Sequence, residues 1–142
     1  MEYKFTHQPS YTHLIVQLEQ GESVLAEPGA MVGHSSTVPM PTQPSGDGLL
    51  GSAKSVLGGE SAFVNRFVAE DGSGQVTLAP PSPGDVMAHD LRDETLYCTD
   101  GAFLAGSDGV DIDSELGGIQ SVIGEAGPAP LAPTGPGPAI LG

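Results

Sequence analysis

The sequence predicts an all-β chain, and three observations carry that expectation. Short alternating or β-branched runs recur along it. Clusters of Gly, Pro and Asp separate them, and one ordered set of landmarks occurs twice. The strands are expected near His13–Leu18, Ser23–Glu27, Ala30–Ser36, Ser61–Ala69, Gln75–Ala79, Asp85–Leu91, Thr95–Thr99, Ala102–Gly106 and Val110–Asp113. HLIVQL alternates apolar with polar, as a half-buried strand should. The intervening QGE, EPG, EDGSG, PPSPGD, RDE, TDG and GSDG supply turn residues. Leu49–Leu57 has room for one helical turn, but Gly51, Gly58 and Gly59 favour a loop.

The duplicated landmarks begin with a leucine and an acidic turn, in LEQGESVLAE and in LRDETLYCTD. Next come Gly29-Ala30-Met31 and Gly101-Ala102-Phe103, then KSVLGGES and QSVIGEA. Gly-x-Gly and an apolar strand close each set, in DGSGQVTLA and TGPGPAILG. Four landmarks in one order imply an internal duplication. Residues 1–142 are expected to form one domain of two units, about 11–81 and 83–142. Gly29 and Gly101 are expected at positive φ, closing equivalent turns. Residues 126–142 form a Pro/Gly-rich terminal segment. Its AGPAPLAPT stretch reads as an edge strand, an extended polyproline-like stretch or a frayed end, because proline cannot donate to a ladder.

Composition excludes several function classes. The 142 residues include 21 Gly and 13 Pro but no Trp, so the core must be mainly aliphatic. Four Lys and Arg stand against 18 Asp and Glu, a net charge of −14. Such a surface repels phosphate backbones and anionic membranes, so neither nucleic acid nor membrane insertion is expected. The same charge excess fits a high-salt interior, where screening relieves self-repulsion. A lone cysteine, Cys98, forms no internal disulfide, and its alternating context suggests a buried small apolar residue. MEYKFTHQPS carries no secretory or transit signal, and no apolar run reaches bilayer length, so the expected location is cytoplasmic.

GESVLAEPGAMV, GGESAFVNRF, VTLAPPSPGDV and GAFLA together carry a resemblance over almost the whole chain. The sequence resembles the altered inheritance of mitochondria twenty-four family, also called the mitochondrial-biogenesis family. The resemblance implies a double-stranded β-helix, a β-prism-like barrel similar to the tryptophan RNA-binding attenuation protein. It also implies internal repeats, frequent oligomers and no established catalytic residue. The eukaryotic members' role in mitochondrial inner-membrane organisation is not expected of an acidic chain without a transit peptide. The family pattern implies a third related segment after TGPGPAILG; the expectation is therefore a short or truncated archaeal or bacterial member, with unpaired edges that favour association.

Candidate chemistry is sparse. A cupin-type metal site needs His-x-His, a Glu and a further His, whereas His7, His13, His34 and His89 are scattered. Convergence of His34 and His89 with Glu60 or Asp90 would make a ligand set; the plainer reading is surface or hydrogen-bonded histidines. GSDGVDIDSE offers Asp108, Asp111, Asp113 and Glu115 to a hard cation. The expected reading is a solvated strand face with Val110 and Ile112 inward. GDGLLGSAKS is no phosphate loop, since no Lys directly follows Gly51. The sequence therefore points to a non-enzymatic, self-associating scaffold or interaction module. It assigns no catalytic residue, metal ligand or cofactor. The alternative is a cupin-like metal enzyme or small-ligand binder using a barrel interior.

Overall fold

The structure is a computed structural model that describes residues 1–40, 65–99, 101–113 and 132–142. The described residues contain eleven strands and no helix: β1 Glu2–Thr6, β2 His13–Leu18, β3 Ser23–Ala26, β4 Met31–His34, β5 Asn65–Val68 and β6 Gly74–Leu78, followed by β7 Met87–Leu91, β8 Phe103–Ser107, β9 Asp111–Asp113, β10 Ala132–Thr134 and β11 Gly137–Leu141. They form sheets in the orders β1-β2-β6-β4, β5-β3-β8-β11-β7 and β10-β9. The all-β expectation is met. The barrel is not: among the described strands, β1, β4, β5 and β7 each have a neighbour on one side only, and no described sheet closes on itself.

One pairing scheme occurs in both halves. In the first, β6 lies between β2 and β4; Leu18 faces Gly74 and Met31 faces Leu78. In the second, β11 lies between β7 and β8; Leu91 faces Gly137 and Phe103 faces Leu141. The irregularity recurs too. The β4–β6 register slips between Met31 and Gly33, and the β8–β11 register slips at Leu141, leaving Val32 and Leu104 as the extra residues. Ala30 N donates to Glu27 O at 3.1 Å, and Ala102 N to Thr99 O at 3.0 Å, closing turns in which Gly29 and Gly101 have φ of 89° and 84°.

The halves join where β3 pairs with β8: Val24 with Ser107, Leu25 with Gly106, and Ala26 with Ala105. The alternation of HLIVQL turns Leu14, Val16 and Leu18 inward, fully buried. They pack with Val24, Phe67, Val76, Leu78, Leu104 and Ile140 in the main core, and Leu91, Phe103, Val110, Ile112 and Ala139 form a second cluster.

One expected strand does not form as a continuous element. Thr95–Thr99 forms no continuous strand; it makes a bridge from Thr95 to Thr134 and a 2.9 Å bond from Leu96 N to Pro133 O. The proline-bearing β10 donates too little to hold a regular ladder there. Ala132–Thr134, from the AGPAPLAPT segment, is the strand β10, while the rest of that segment lies outside the described residues. So do Leu49–Leu57, KSVLGGES and QSVIGEA. Pro138 is tolerated in β11 because it lies opposite Asp90 of β7, just past the end of the ladder with β8.

Glycine substitutions separate two costs. A Cβ at Gly29 or Gly101 would meet no atom within 4 Å, so Ala there should cost about 1 kcal/mol from positive φ alone. Gly137, at φ 128°, has the Ser107 hydroxyl where a Cβ would sit, so Gly137→Ala should cost about 2–3 kcal/mol. Denaturant unfolding of the three variants checks the order.

Candidate functional site

A surface groove lies where the chain passes from one half to the other. PPSPG (Pro80–Gly84) carries three prolines, which leave few backbone donors and keep the segment extended. It runs beside the entry to β2: Tyr11 bridges Gly84 in parallel, and Thr12 N donates to Gly84 O at 3.1 Å. Between these segments is a groove of about 210 Å³ lined by Tyr11, Thr12, His13, Ala79, Pro80, Pro81, Ser82, Pro83 and Gly84. The Tyr11 ring is exposed at its rim.

Asp85 locks this seam. Its Oδ1 accepts from the hydroxyl of buried Thr12 at 2.7 Å, from Val86 N at 2.9 Å and from Gln8 Nε2 at 3.2 Å. The Thr12 hydroxyl, then the Val86 amide, hold the carboxyl below its ordinary pKa, as donors to a carboxylate must. An ionised acceptor of this kind is a structural clamp and a poor general base. The His13 ring packs at 5.2 Å from that of His7, and no hydrogen bond links it to Ser82. The groove offers shape and aromatic surface, without an activated nucleophile.

The histidines weighed as metal ligands do not converge. His34 is on β4 in the four-stranded sheet, with Nδ1 at 3.0 Å from Ser35 O. His89 is on β7 in the five-stranded sheet, with Nε2 at 3.0 Å from Glu94 Oε1. Asp90 is exposed on β7, and Glu60 lies outside the described residues. Among the described residues, no three His, Cys, Asp or Glu side chains are grouped to hold a metal.

The acidic run behaves as a strand face: Val110 and Ile112 are buried and Asp111 is exposed, while Glu115 lies outside the described residues. Asp108 is engaged by Arg66 of β5, whose guanidinium also donates to Ser23 Oγ at 3.1 Å. Cys98 is half-buried and packs beside the second cluster with Leu96; burial pushes its thiol pKa up, the opposite of activation. Sequence reasoning missed the Thr12–Asp85 clamp. Its only local sign is the Gly-Asp that ends PPSPGD, since Thr12 meets it from the far end of the first half.

The fold defines a class: an all-β protein of open, cross-paired sheets, with no three metal-ligating side chains grouped among the described residues. The chain belongs to the family described as mitochondrial biogenesis AIM24, whose sequence model matches residues 3–142. It is 38% identical over 96 residues to an uncharacterized protein of Streptococcus pyogenes serotype M6, an alignment covering 63% of this chain and 38% of that protein. A Streptococcus pyogenes protein of known crystal structure shares the fold at a TM-score of 0.78 and 27% identity, covering 99% of this chain and 63% of that one. The chain thus spans less than two thirds of the length of either relative. Among the described residues, no helix is long and apolar enough to cross a membrane.

The clamp has a pH signature. A folded pKa below the free value of 3.8 means that Asp85 stabilises the fold fully above about pH 4. That contribution is lost as pH falls through the depressed folded value. Asp85→Asn should lower Tm at pH 7, with the gap to the parent narrowing below about pH 4. Thr12→Val should behave similarly but with a smaller gap, because Val86 N and Gln8 still hold the carboxylate. Thermal melts across pH check both.

Proposed function

We propose that this protein is a non-enzymatic, self-associating β-scaffold of two related units, about 11–81 and 83–142, of the double-stranded β-helix kind, working in the cytoplasm. The observation that carries the reading is the recurrence of one pairing scheme, with the same displaced residue, in β2-β6-β4 and β7-β11-β8. A unit of short strands cannot bury its apolar face alone, so such units pack against their like. Their inner faces meet in aliphatic side chains such as Leu14, Val16, Val76, Leu104 and Ile140, which favours a packed core over a ligand chamber. That arrangement, with His34 and His89 on separate sheets, weighs against a cupin-like metal enzyme.

A net charge of −14 opposes close approach of copies at low salt. Assembly should therefore strengthen as salt is raised, and sedimentation velocity across salt concentrations measures this. Metal analysis of the same protein should find no stoichiometric metal. A well-folded monomer at every salt concentration would overturn the assembly. Stoichiometric metal lost on His34→Ala or His89→Ala would overturn the scaffold in favour of the enzyme.

A further inference from the structure

We propose that copies of this chain join through one specific strand pairing, in which the Leu96–Cys98 segment of one copy adds to the edge of β4 that no described strand covers in another. The inference rests on the self-association proposed above and assigns it a surface and a register. Aligning Gly29-Ala30-Met31 with Gly101-Ala102-Phe103 makes β4 the counterpart of β8. The same alignment puts Leu96, Tyr97 and Cys98 at the places of Val24, Leu25 and Ala26 in β3. Within the chain, β3 covers the edge of β8 that faces away from β11. Among the described strands, nothing covers the matching edge of β4.

Exposure follows the same division. Leu104, beneath β3, is 1% exposed, whereas its counterpart Val32 is 57% exposed. Leu25, seated on β8, is 5% exposed, whereas its counterpart Tyr97 is 59% exposed. Leu104 and Leu25 are thus buried at the internal joint, and their counterparts Val32 and Tyr97 are exposed apolar residues. The complementary surfaces sit on opposite ends of the repeat, so the contact is heterologous, the kind that builds rings or reciprocal dimers. A second copy is the occupant whose edge matches residue for residue.

The internal joint fixes the register. Val24 opposite Ser107, Leu25 opposite Gly106 and Ala26 opposite Ala105 translate to Leu96 opposite Ser35, Tyr97 opposite His34 and Cys98 opposite Gly33. Glu27 N donates to Leu104 O at 2.9 Å beside the Ala26–Ala105 pair, which makes that pair the close, non-hydrogen-bonded kind. Directly opposed residues of this kind are within disulfide reach. The native Cys98 therefore serves as a probe. Gly33 has ordinary φ and open space around a Cβ, so Gly33→Cys should fold.

Under oxidised glutathione, Gly33→Cys should form a covalent dimer that is lost on adding Cys98→Ser. His34→Cys, one residue off and on the other face, should not exceed the background of the parent. Val32→Lys should lose the salt-dependent association seen by sedimentation. Cross-linking through His34→Cys equal to that through Gly33→Cys would overturn the register. Association without the Gly33→Cys cross-link would overturn this edge while leaving self-association standing. A monomer throughout would overturn both. So would a monomer in which the thiol introduced by Gly33→Cys is shielded from maleimide, which would mean that β4 is covered from within its own chain.

Discussion

The fold depends on three residue pairs between β3 and β8. They are the ladder that splices the two halves, because β5 and β3 come from the first half and β8, β11 and β7 from the second. Without that ladder the five-stranded sheet falls into a two-stranded and a three-stranded piece, and isolated hairpins are marginal in water. The contacts that build the core follow from it. Leu104 faces Val24, Phe67 and Ala26 in one cluster only because the ladder sets β8 beside β3. Arg66 adds a polar pin across the same joint, reaching Ser23 at its own end and Asp108 in the turn after β8. Half-exposed as it is, that ion pair contributes little to stability; it fixes orientation more than it adds energy.

Much of the fold was legible because period and punctuation agreed. Leu14, Val16 and Leu18 announce a half-buried strand, and β2 has the bounds their alternation implies. Gly29 and Gly101 announce turns that need positive φ and occupy them. The sequence was silent where the decisive contact is distant. EYKFT, with Glu2, Tyr3 and Lys4 exposed, lacks an apolar stripe, and β1 forms only because β2 offers it an edge. Thr95–Thr99 reads as a strand by alternation, yet a strand flanked by proline-bearing β10 has too few donors opposite it to be regular.

The site was less legible than the fold, for a related reason. Nothing in GAMV or GAFL says which will be covered, because the two motifs carry the same local information. Only the order of strands shows that the phenylalanine-bearing copy lies within a sheet and the methionine-bearing copy at its margin. The groove likewise depends on a meeting of distant segments, Tyr11–His13 with Pro80–Gly84, brought together by the carboxylate of Asp85. The histidines that looked most like chemistry were separated by topology, each taken up by a local hydrogen bond.

The margin formed by β4 carries neither lysine nor proline, the residues with which sheets usually guard an open edge against indiscriminate pairing. Its protection must be global: the acidity of the whole molecule keeps strangers apart. That kind of guard has a weak point that a local one lacks. Near the isoelectric point of about 4.2 the net repulsion vanishes while the composition of that margin stays the same, so acid removes the restraint on whatever would pair with it. A compartment that kept this protein near neutral pH would thereby be supplying part of its solubility.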